Sequence, residues 1–235
     1  MKLTPTLPCR RIESFNLDDW AAVSRAFDGA SFVPFQQGWI GQPTPGFRPA
    51  KASAAWTNDS LIVHAELNDD DIFNTMPVSD FNALAIHQGD VFEIFLQPAG
   101  QEAYHEIHIT PNNHQVQLRI PFPGAFQKLK SRFASTDALI ETFKVWSPMV
   151  ESRVAIDTVS KVWRAVVKIP FSMLTGIRPV AGEMWRFSFS RYDYTRPDPE
   201  PTYSSTSPHS AINFHLVHEY GALTFSDGWP TKFFG

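Results

Sequence analysis

The chain has a single cysteine, Cys9, in 235 residues. An intrachain disulfide is therefore excluded, and so is a structural zinc site built on cysteine pairs. Charge is also scarce: Asp, Glu, Lys and Arg make up 19%, with a formal net charge of −4 and a pI near 6.0. There is no run or stripe of Lys and Arg, so nucleic acid is not an expected partner. No apolar run reaches the ~18–20 residues a membrane helix needs, and no membrane partner is expected. A glycine-rich phosphate loop, a His-Glu-x-x-His zinc helix and a nucleophile elbow are all missing. The start, MKLTPTLPCRR, lacks the apolar stretch of a secretory signal. As written the chain reads as cytoplasmic; with a signal trimmed it would read as secreted or periplasmic.

Apolar and turn-forming residues are what the sequence does contain. Hydrophobic residues reach 43% and aromatics 14%, including 20 Phe and 7 Trp. The 19 Pro and 12 Gly imply many turns and few long helices. The length suits one large β domain. Residues 1–14 read as an irregular lead-in and 15–235 as a single domain. A short helix is expected through Phe27, with Asp18 as its N-cap.

Strand patterns dominate the rest. Ala52–Trp56 and Leu61–Leu67 flank Asn58-Asp59, a hairpin signal. Residues 90–97, 104–110 and 115–120, separated by Pro98-Ala99-Gly100 and Pro111-Asn112-Asn113, read as an antiparallel meander. Further strands are expected at 150–157, 161–169, 183–194 and 221–225. Residues 34–50 and 196–215, rich in proline, read as loops. Residues 121–146 read as a loop with a short helix. The fold class is all-β: an antiparallel two-sheet β-sandwich of jelly-roll type with short peripheral helices.

Alternation then sorts the polar residues. In GDVFEIFL (89–96), Asp90 and Glu93 fall on opposite faces, so this strand holds no catalytic carboxylate pair of its own. Asp90 reads as a strand-entry residue that bonds nearby backbone. Glu93 is mid-strand, and requires either solvent or a partner. Phase places Glu106 and His108 on one face of the next strand. In the third, Val116, Leu118 and Ile120 are assigned to the core, with Gln117 and Arg119 facing away. A polar face of Glu93, Glu106, His108, Gln117, Arg119 and, further out, Arg164 and Arg186 supports two readings. One is a solvated outer face with cross-strand ion pairs. The other is a platform for a polar ligand such as a sugar. Trp39, Tyr192, Tyr194 and Tyr203 are aromatic candidates for ligand contact, being in or beside loops. His209, His215 and His218 lie close enough in sequence to share a ligand or metal, or to be solvated separately. Asn68 to Asp71 form an acidic cluster at a strand end: a solvated turn or, through Asp69 and Asp71, a structural calcium site. No other cofactor is required.

The pieces AWTNDSLIVHAELNDDDI, GDVFEIFLQP, YHEIHITPNN, WRAVVKIPFSML, GEMWRFSFSRYDY and YGALTF occur in this order from about Phe15 to Phe225. In that order and spacing the sequence resembles the family 9 carbohydrate-binding modules. The resemblance implies a jelly-roll β-sandwich that binds saccharides of the xylan or cellulose class without catalysis, in polysaccharide utilisation, and in which calcium can be structural. It carries a ligand-contacting strand glutamate onto Glu93 and a polar partner onto His108, with Arg119 beside them. Where the family clamps the sugar ring with two tryptophans, this chain has His87 and Phe214. Two alternatives remain: a structural or protein-interaction sandwich that has lost the sugar site, and a glycoside hydrolase using Glu93 and Glu106. A polar groove floored by Glu93 and walled by His87 and Phe214 would favour sugar binding, and a filled or flat face would favour the structural alternative. The oligomeric state is not legible.

Overall fold

The alternating segments become strands, and the proline-rich segments connect them. The computed structural model describes residues 4–227; the outer ends of the expected lead-in and domain, 1–3 and 228–235, lie outside them. The strands are β1 (Thr6–Arg11), β2 (Val33–Pro34), β3 (Ala50–Trp56), β4 (Ser60–Asn68), β5 (Val91–Gln97) and β6 (Tyr104–Ile109). They continue with β7 (Gln115–Ile120), β8 (Glu151–Asp157), β9 (Val162–Pro170), β10 (Met184–Asp193), β11 (Thr202–Ser205) and β12 (Gly221–Ser226). The helices are short: α1 (Trp20–Ala26), α2 (Ala125–Leu129), α3 (Thr136–Glu141) and α4 (Phe171–Leu174).

One hydrogen-bonded path runs β7-β6-β5-β10-β12-β1-β3-β4-β9-β8, with β11 added on β10 and β2 on β3. The expected two separate sheets are therefore a single open sheet that curls. Ala54, Val63 and Val167 of β3, β4 and β9 share one core with Phe92, Ile94 and Phe189 of β5 and β10. The two halves face each other as in a sandwich, while β12 and β1 carry the ladder between them. Nor is the sheet wholly antiparallel, because β1 runs parallel to both β12 and β3.

That strand lies inside the segment expected to be irregular. Leu7 and Cys9 carry its alternation, and both are fully buried. Pro8 hid it, because proline cannot donate to a ladder. The structure accommodates Pro8 where β1 is paired only with β12, since pairing with β3 begins at Arg10. The partner residues 222–226 are more than 200 positions away, beyond any local pattern. β11 emerged likewise from an expected loop. The N-cap of α1 is Asp19, whose Oδ1 accepts from Ala21 and Ala22 N–H at 2.9 and 3.1 Å. Asp18 instead pairs with Arg153.

The β5–β6–β7 meander is present, but both of its faces are covered. Phe92, Ile94 and Leu96 enter the main core. Val91, Glu93 and Phe95 face the other way, where Phe95, Tyr104, Val116, Leu118 and Ile120 pack under Ala125, Leu139, Phe143, Phe214, Val217 and Tyr220. Each large apolar side chain buried there contributes about 1.5–3 kcal/mol. The cover comes from α2, α3 and the 206–220 segment, and it makes the outer face of the meander a second interior.

Register corrects the phase assigned to β7. Glu93 pairs with His108 and His108 with Val116, while Phe95 pairs with Glu106 and Glu106 with Leu118. Directly paired residues share a face. Val116 and Leu118 thus share the face of Glu93, and Gln117 and Arg119 belong to the opposite one. Alternation groups residues within a strand, but where both faces are buried it does not say which group meets which.

Candidate functional site

Gly89 sets the entrance to β5. Its φ is +130°, and a Cβ there would stand 2.4 Å from the carbonyl oxygen of Phe73. This close approach brings Asp90 beside two orphan amides: Oδ2 accepts from Phe73 N–H and Oδ1 from Tyr194 N–H, each at 2.8 Å. Asp90 is thus the structural strand-entry residue its sequence position indicated.

Three residues further, Glu93 is 2% exposed. The solvated-face reading therefore does not hold for it. His108 Nε2 lies 2.6 Å from Glu106 Oε1 and 3.2 Å from Glu93 Oε1. One imidazole is shared by two carboxylates, all three nearly inaccessible to bulk solvent. Burial pushes the Glu93 carboxyl up to about 8; His108 opposes this and Glu106 adds to it. For Glu106, burial acts upward, but His215 and His108 outweigh it and hold the carboxyl below its usual range. For His108, burial acts downward, but Glu93 and Glu106 outweigh it and its pKa is raised. With its carboxyl at about 8, Glu93 keeps its proton at neutral pH, beside the close Glu106–His108 pair. Glu93 Oε2, Glu106 Oε2 and His108 Nδ1 are buried without a hydrogen-bond partner. Such atoms cost about 1–3 kcal/mol each unless a ligand or water completes them.

These groups floor a cavity of about 300 Å³. Its walls are mostly apolar: Leu84 and Ile86 from the loop before β5, Phe95 and Leu118 from the meander, and Tyr192 from β10. Phe126, Thr136 and Ile140 of α2 and α3 and residues 212–215 complete it. The His215 ring packs at a tilt against Phe126, 4.7 Å between centroids, and its Nδ1 is 2.9 Å from Tyr104 Oη. The volume is at the small end of the roughly 300–1,000 Å³ typical of ligand pockets.

The structure separates the five expected ligand contacts. Glu93, His108 and Phe214 meet at the cavity. His87 is exposed on the turn before β5 and does not line it; Ile86 and Leu84 do. Arg119 is exposed on the opposite face of β7, across from His105. Gln117, on that same face, donates from Nε2 to the Val145 carbonyl at 3.0 Å and serves the fold. Of the loop aromatics, Tyr192 lines the cavity, while Trp39 and Tyr203 support Phe214 from behind at 6.2 and 6.3 Å between ring centroids. Tyr194 donates to the Ile86 carbonyl and fixes that wall. The loop histidines are distributed: His215 to the cavity, His209 to Glu219 at 3.1 Å, and His218 to the exposed surface. Phe126, Thr136 and Ile140 were missed, because residues 121–146 carry no strand alternation and only their aromatic content hinted at a role.

The two expected calcium ligands are committed to different arginines. Asp71 accepts from Arg196, and that side-chain hydrogen bond above all holds the carboxyl down at about 2. Asp69 accepts from Arg191 at 2.9 Å, with both side chains fully buried. The carboxylates that do converge are Asp69, Asp90 and Asp193. Arg191 Nη2 lies between two of them, 2.9 Å from Asp69 Oδ2 and 3.1 Å from Asp193 Oδ1. A guanidinium already supplies the positive charge there, so this donor set does not fit a calcium ion.

The buried acids set a pH dependence. A carboxyl whose folded pKa is raised binds its proton more tightly when folded, so stability is lost as pH rises towards that pKa. Glu93 at about 8, Asp193 at about 7 and Asp90 at about 9 all act in this sense, the largest cause in each being burial. His64 and His105, held down at about 4 chiefly by burial, act oppositely, but only below their ordinary value of 6.5. Unfolding free energy is therefore expected to fall between pH 6.5 and 8, and Glu93→Gln should shallow the fall by about 1 kcal/mol per pH unit. Urea unfolding across that range checks this; a flat or rising wild-type profile contradicts it.

No protein-family model matches the sequence, and no curated protein does. Solved structures do match. A candidate carbohydrate-binding protein of Bacteroides uniformis superimposes with a TM-score of 0.70 at 15% identity, over 95% of this chain and 100% of the other. A family 9 carbohydrate-binding module of Caldicellulosiruptor kristjanssonii, solved with cellotriose, gives a TM-score of 0.63 at 14% identity, over 95% of each chain. A glucose complex of such a module from the same organism gives 0.61 at 13%, over 95% and 97%. Coverage is nearly complete in both directions, and the chain therefore has the fold of the family 9 carbohydrate-binding modules.

Proposed function

We propose that this protein binds a saccharide without catalysis, in the cavity between the β5–β6–β7 meander and the α2–α3 cover. The carrying observation is that Glu93, Glu106 and His108, each with a buried polar atom lacking a hydrogen-bond partner, line one mostly apolar cavity. A sugar hydroxyl both donates and accepts. It can complete an ionised Glu106, a protonated Glu93 and an imidazole nitrogen together. Phe214, Phe95 and Tyr192 supply the flat apolar faces on which C–H-rich ring surfaces rest. The clamp therefore uses Phe214 but not His87. The neighbouring folds solved with cellotriose and glucose support a glucan-type ligand of the cellulose class; xylan remains part of the proposed class on the sequence resemblance alone. A pocket rather than a flat strip favours the end of a short chain.

Calorimetric titration with cellotriose, xylotriose and glucose tests this. The expected dissociation constant is on the order of micromolar to millimolar, weakened about tenfold by Phe214→Ala. Absence of heat from every saccharide, or unchanged affinity in Phe214→Ala, would overturn it.

A second reading has one observation in its favour. Burial and charge push Glu93 up and Glu106 down, the pattern of a general acid beside a nucleophile. Hydrolysis also needs the two carboxylates on either side of the scissile bond, about 5–10 Å apart. Here both reach the same Nε2 of His108 from one floor. Release of reducing ends from cellotriose or xylotriose, abolished by Glu106→Gln, would establish hydrolysis instead.

A further inference from the structure

We infer that the saccharide this cavity best fits is an amino sugar, its protonated amine held between Glu93 and Glu106. This rests on the saccharide-binding reading above and narrows its ligand class.

The first support is charge. Two carboxylates and one imidazole form the floor, and among the described residues no lysine or arginine lines the cavity. His215 is the other titratable base facing it, and burial holds that imidazole below its usual range, against the pull of Glu106. A single ammonium balances the site: two carboxylates against His108⁺ and the ligand. The second support is geometry. Both carboxylates reach the same Nε2 of His108, at 3.2 and 2.6 Å, so they stand side by side on the floor where a single –NH₃⁺ group can meet both. Its donors match the two free acceptors, Glu93 Oε2 and Glu106 Oε2. A hydroxyl brings only one proton to the same pair. Third, the walls include Phe95, Phe126, Tyr192 and Phe214, whose ring faces favour a cation in a dry setting. Acidic sugars meet the opposite situation, with no cation to receive them beyond the one His108 already gives to Glu106.

The same three residues have the make-up of a metal site. However, a metal-bound histidine is normally fixed by a hydrogen bond from its other ring nitrogen. His108 Nδ1 has none, and Nε2 is already 2.6 Å from Glu106 Oε1. An ammonium donating to the outer carboxylate oxygens leaves that pair intact. Glu93, protonated in the free protein, then gives its proton to solvent when the amine binds. The groups facing it are Glu106, His108 and Tyr104 from β6, Tyr192 from β10, and His215 and Tyr220 before β12.

The test is calorimetric titration at pH 6.5 of three trisaccharides that differ only at carbon 2: cellotriose with hydroxyls, the glucosamine trimer with protonated amines, and the N-acetylglucosamine trimer. The glucosamine trimer is expected to bind at least about tenfold more tightly than cellotriose, since a hydrogen bond to a charged group exceeds a neutral one by roughly that factor. The acetylated trimer should show no advantage. Glu93→Gln should abolish the preference, because His108 alone then balances Glu106. Should that variant not fold, wild-type titrations in buffers of different ionisation enthalpy decide: about one proton is released with the amine and none with cellotriose. Equal affinities for cellotriose and the glucosamine trimer overturn this inference and leave saccharide binding standing. A preference that survives in folded Glu93→Gln also overturns it, placing the amine elsewhere on the acidic surface. No binding by any trisaccharide removes the saccharide reading itself.

Discussion

Glu106→Gln is expected to weaken cellotriose binding by about 10- to 150-fold. Glu106 is the carboxylate that stays ionised in the cavity, with His215 and His108 holding its pKa down against burial. Its Oε1 is committed to His108 at 2.6 Å, while its Oε2 makes no hydrogen bond and stands 3.8 Å from His215 Nδ1. A hydrogen bond to a charged group contributes about 1.5–3 kcal/mol, and about 1.4 kcal/mol is a factor of ten in affinity. The amide keeps the shape but loses the charge, and it also withdraws the counter-ion that raises the His108 pKa. Two separable readouts follow. Calorimetry should report the affinity loss, while the thermal midpoint of the free protein reports any change in packing. Retained affinity in a folded Glu106→Gln protein would move the binding site away from this cavity.

Arg191→Met is expected to cost about 3–5 kcal/mol of stability, the scale for breaking a buried ion pair from one side. Arg191 is fully buried and reaches Asp69 and Asp193 through one nitrogen, while Nη1 donates to the Asn68 carbonyl at 2.6 Å. Removing the guanidinium leaves these carboxylates beside Asp90 with no positive charge among them. For a chain of this length the loss corresponds to a drop of about 10 °C in thermal midpoint. Arg196→Met is the matched control. It breaks the Arg196–Asp71 pair, whose arginine is 63% exposed, and should leave the thermal midpoint nearly unchanged. Similar losses in both variants would mean that Arg191 acts through packing alone.

Arg191 and the Glu93–Glu106 floor lie close together on opposite faces of the same sheet, Arg191 pairing with Phe92 and Glu106 with Phe95. β5 and β10 are paired from Val91–Tyr192 to Gln97–Arg186. Asp90 and Asp193 at one end belong to the structural arginine cluster, and Glu93 a few residues along belongs to the cavity. Alternation separated Asp90 from Glu93 at the start, and the structure gives them the different roles that separation implied. It could not foresee that Asp90 would stand beside Asp193, which is brought there by β10.

By itself the sequence determined the all-β character, the meander of β5 to β7, the structural place of Asp90 and the grouping of Glu93 with Glu106 and His108 on one face. Each of these depends on local signals: period-two alternation, turn residues between strands, and motif order along the chain. Only the tertiary structure decided the rest. The parallel insertion of β1, the single curled sheet, the exclusion of His87 and Arg119 and the capture of Asp69 by Arg191 all depend on which distant strands become neighbours. The site itself needed the same information. Its floor is set by cross-strand register, and its roof comes from α2 and α3, whose sequence has no strand period. A pattern of faces within one strand is written locally; which face closes over which is a matter of long-range packing, where apolar burial on both sides of a sheet removes the polarity that would have marked inside from outside.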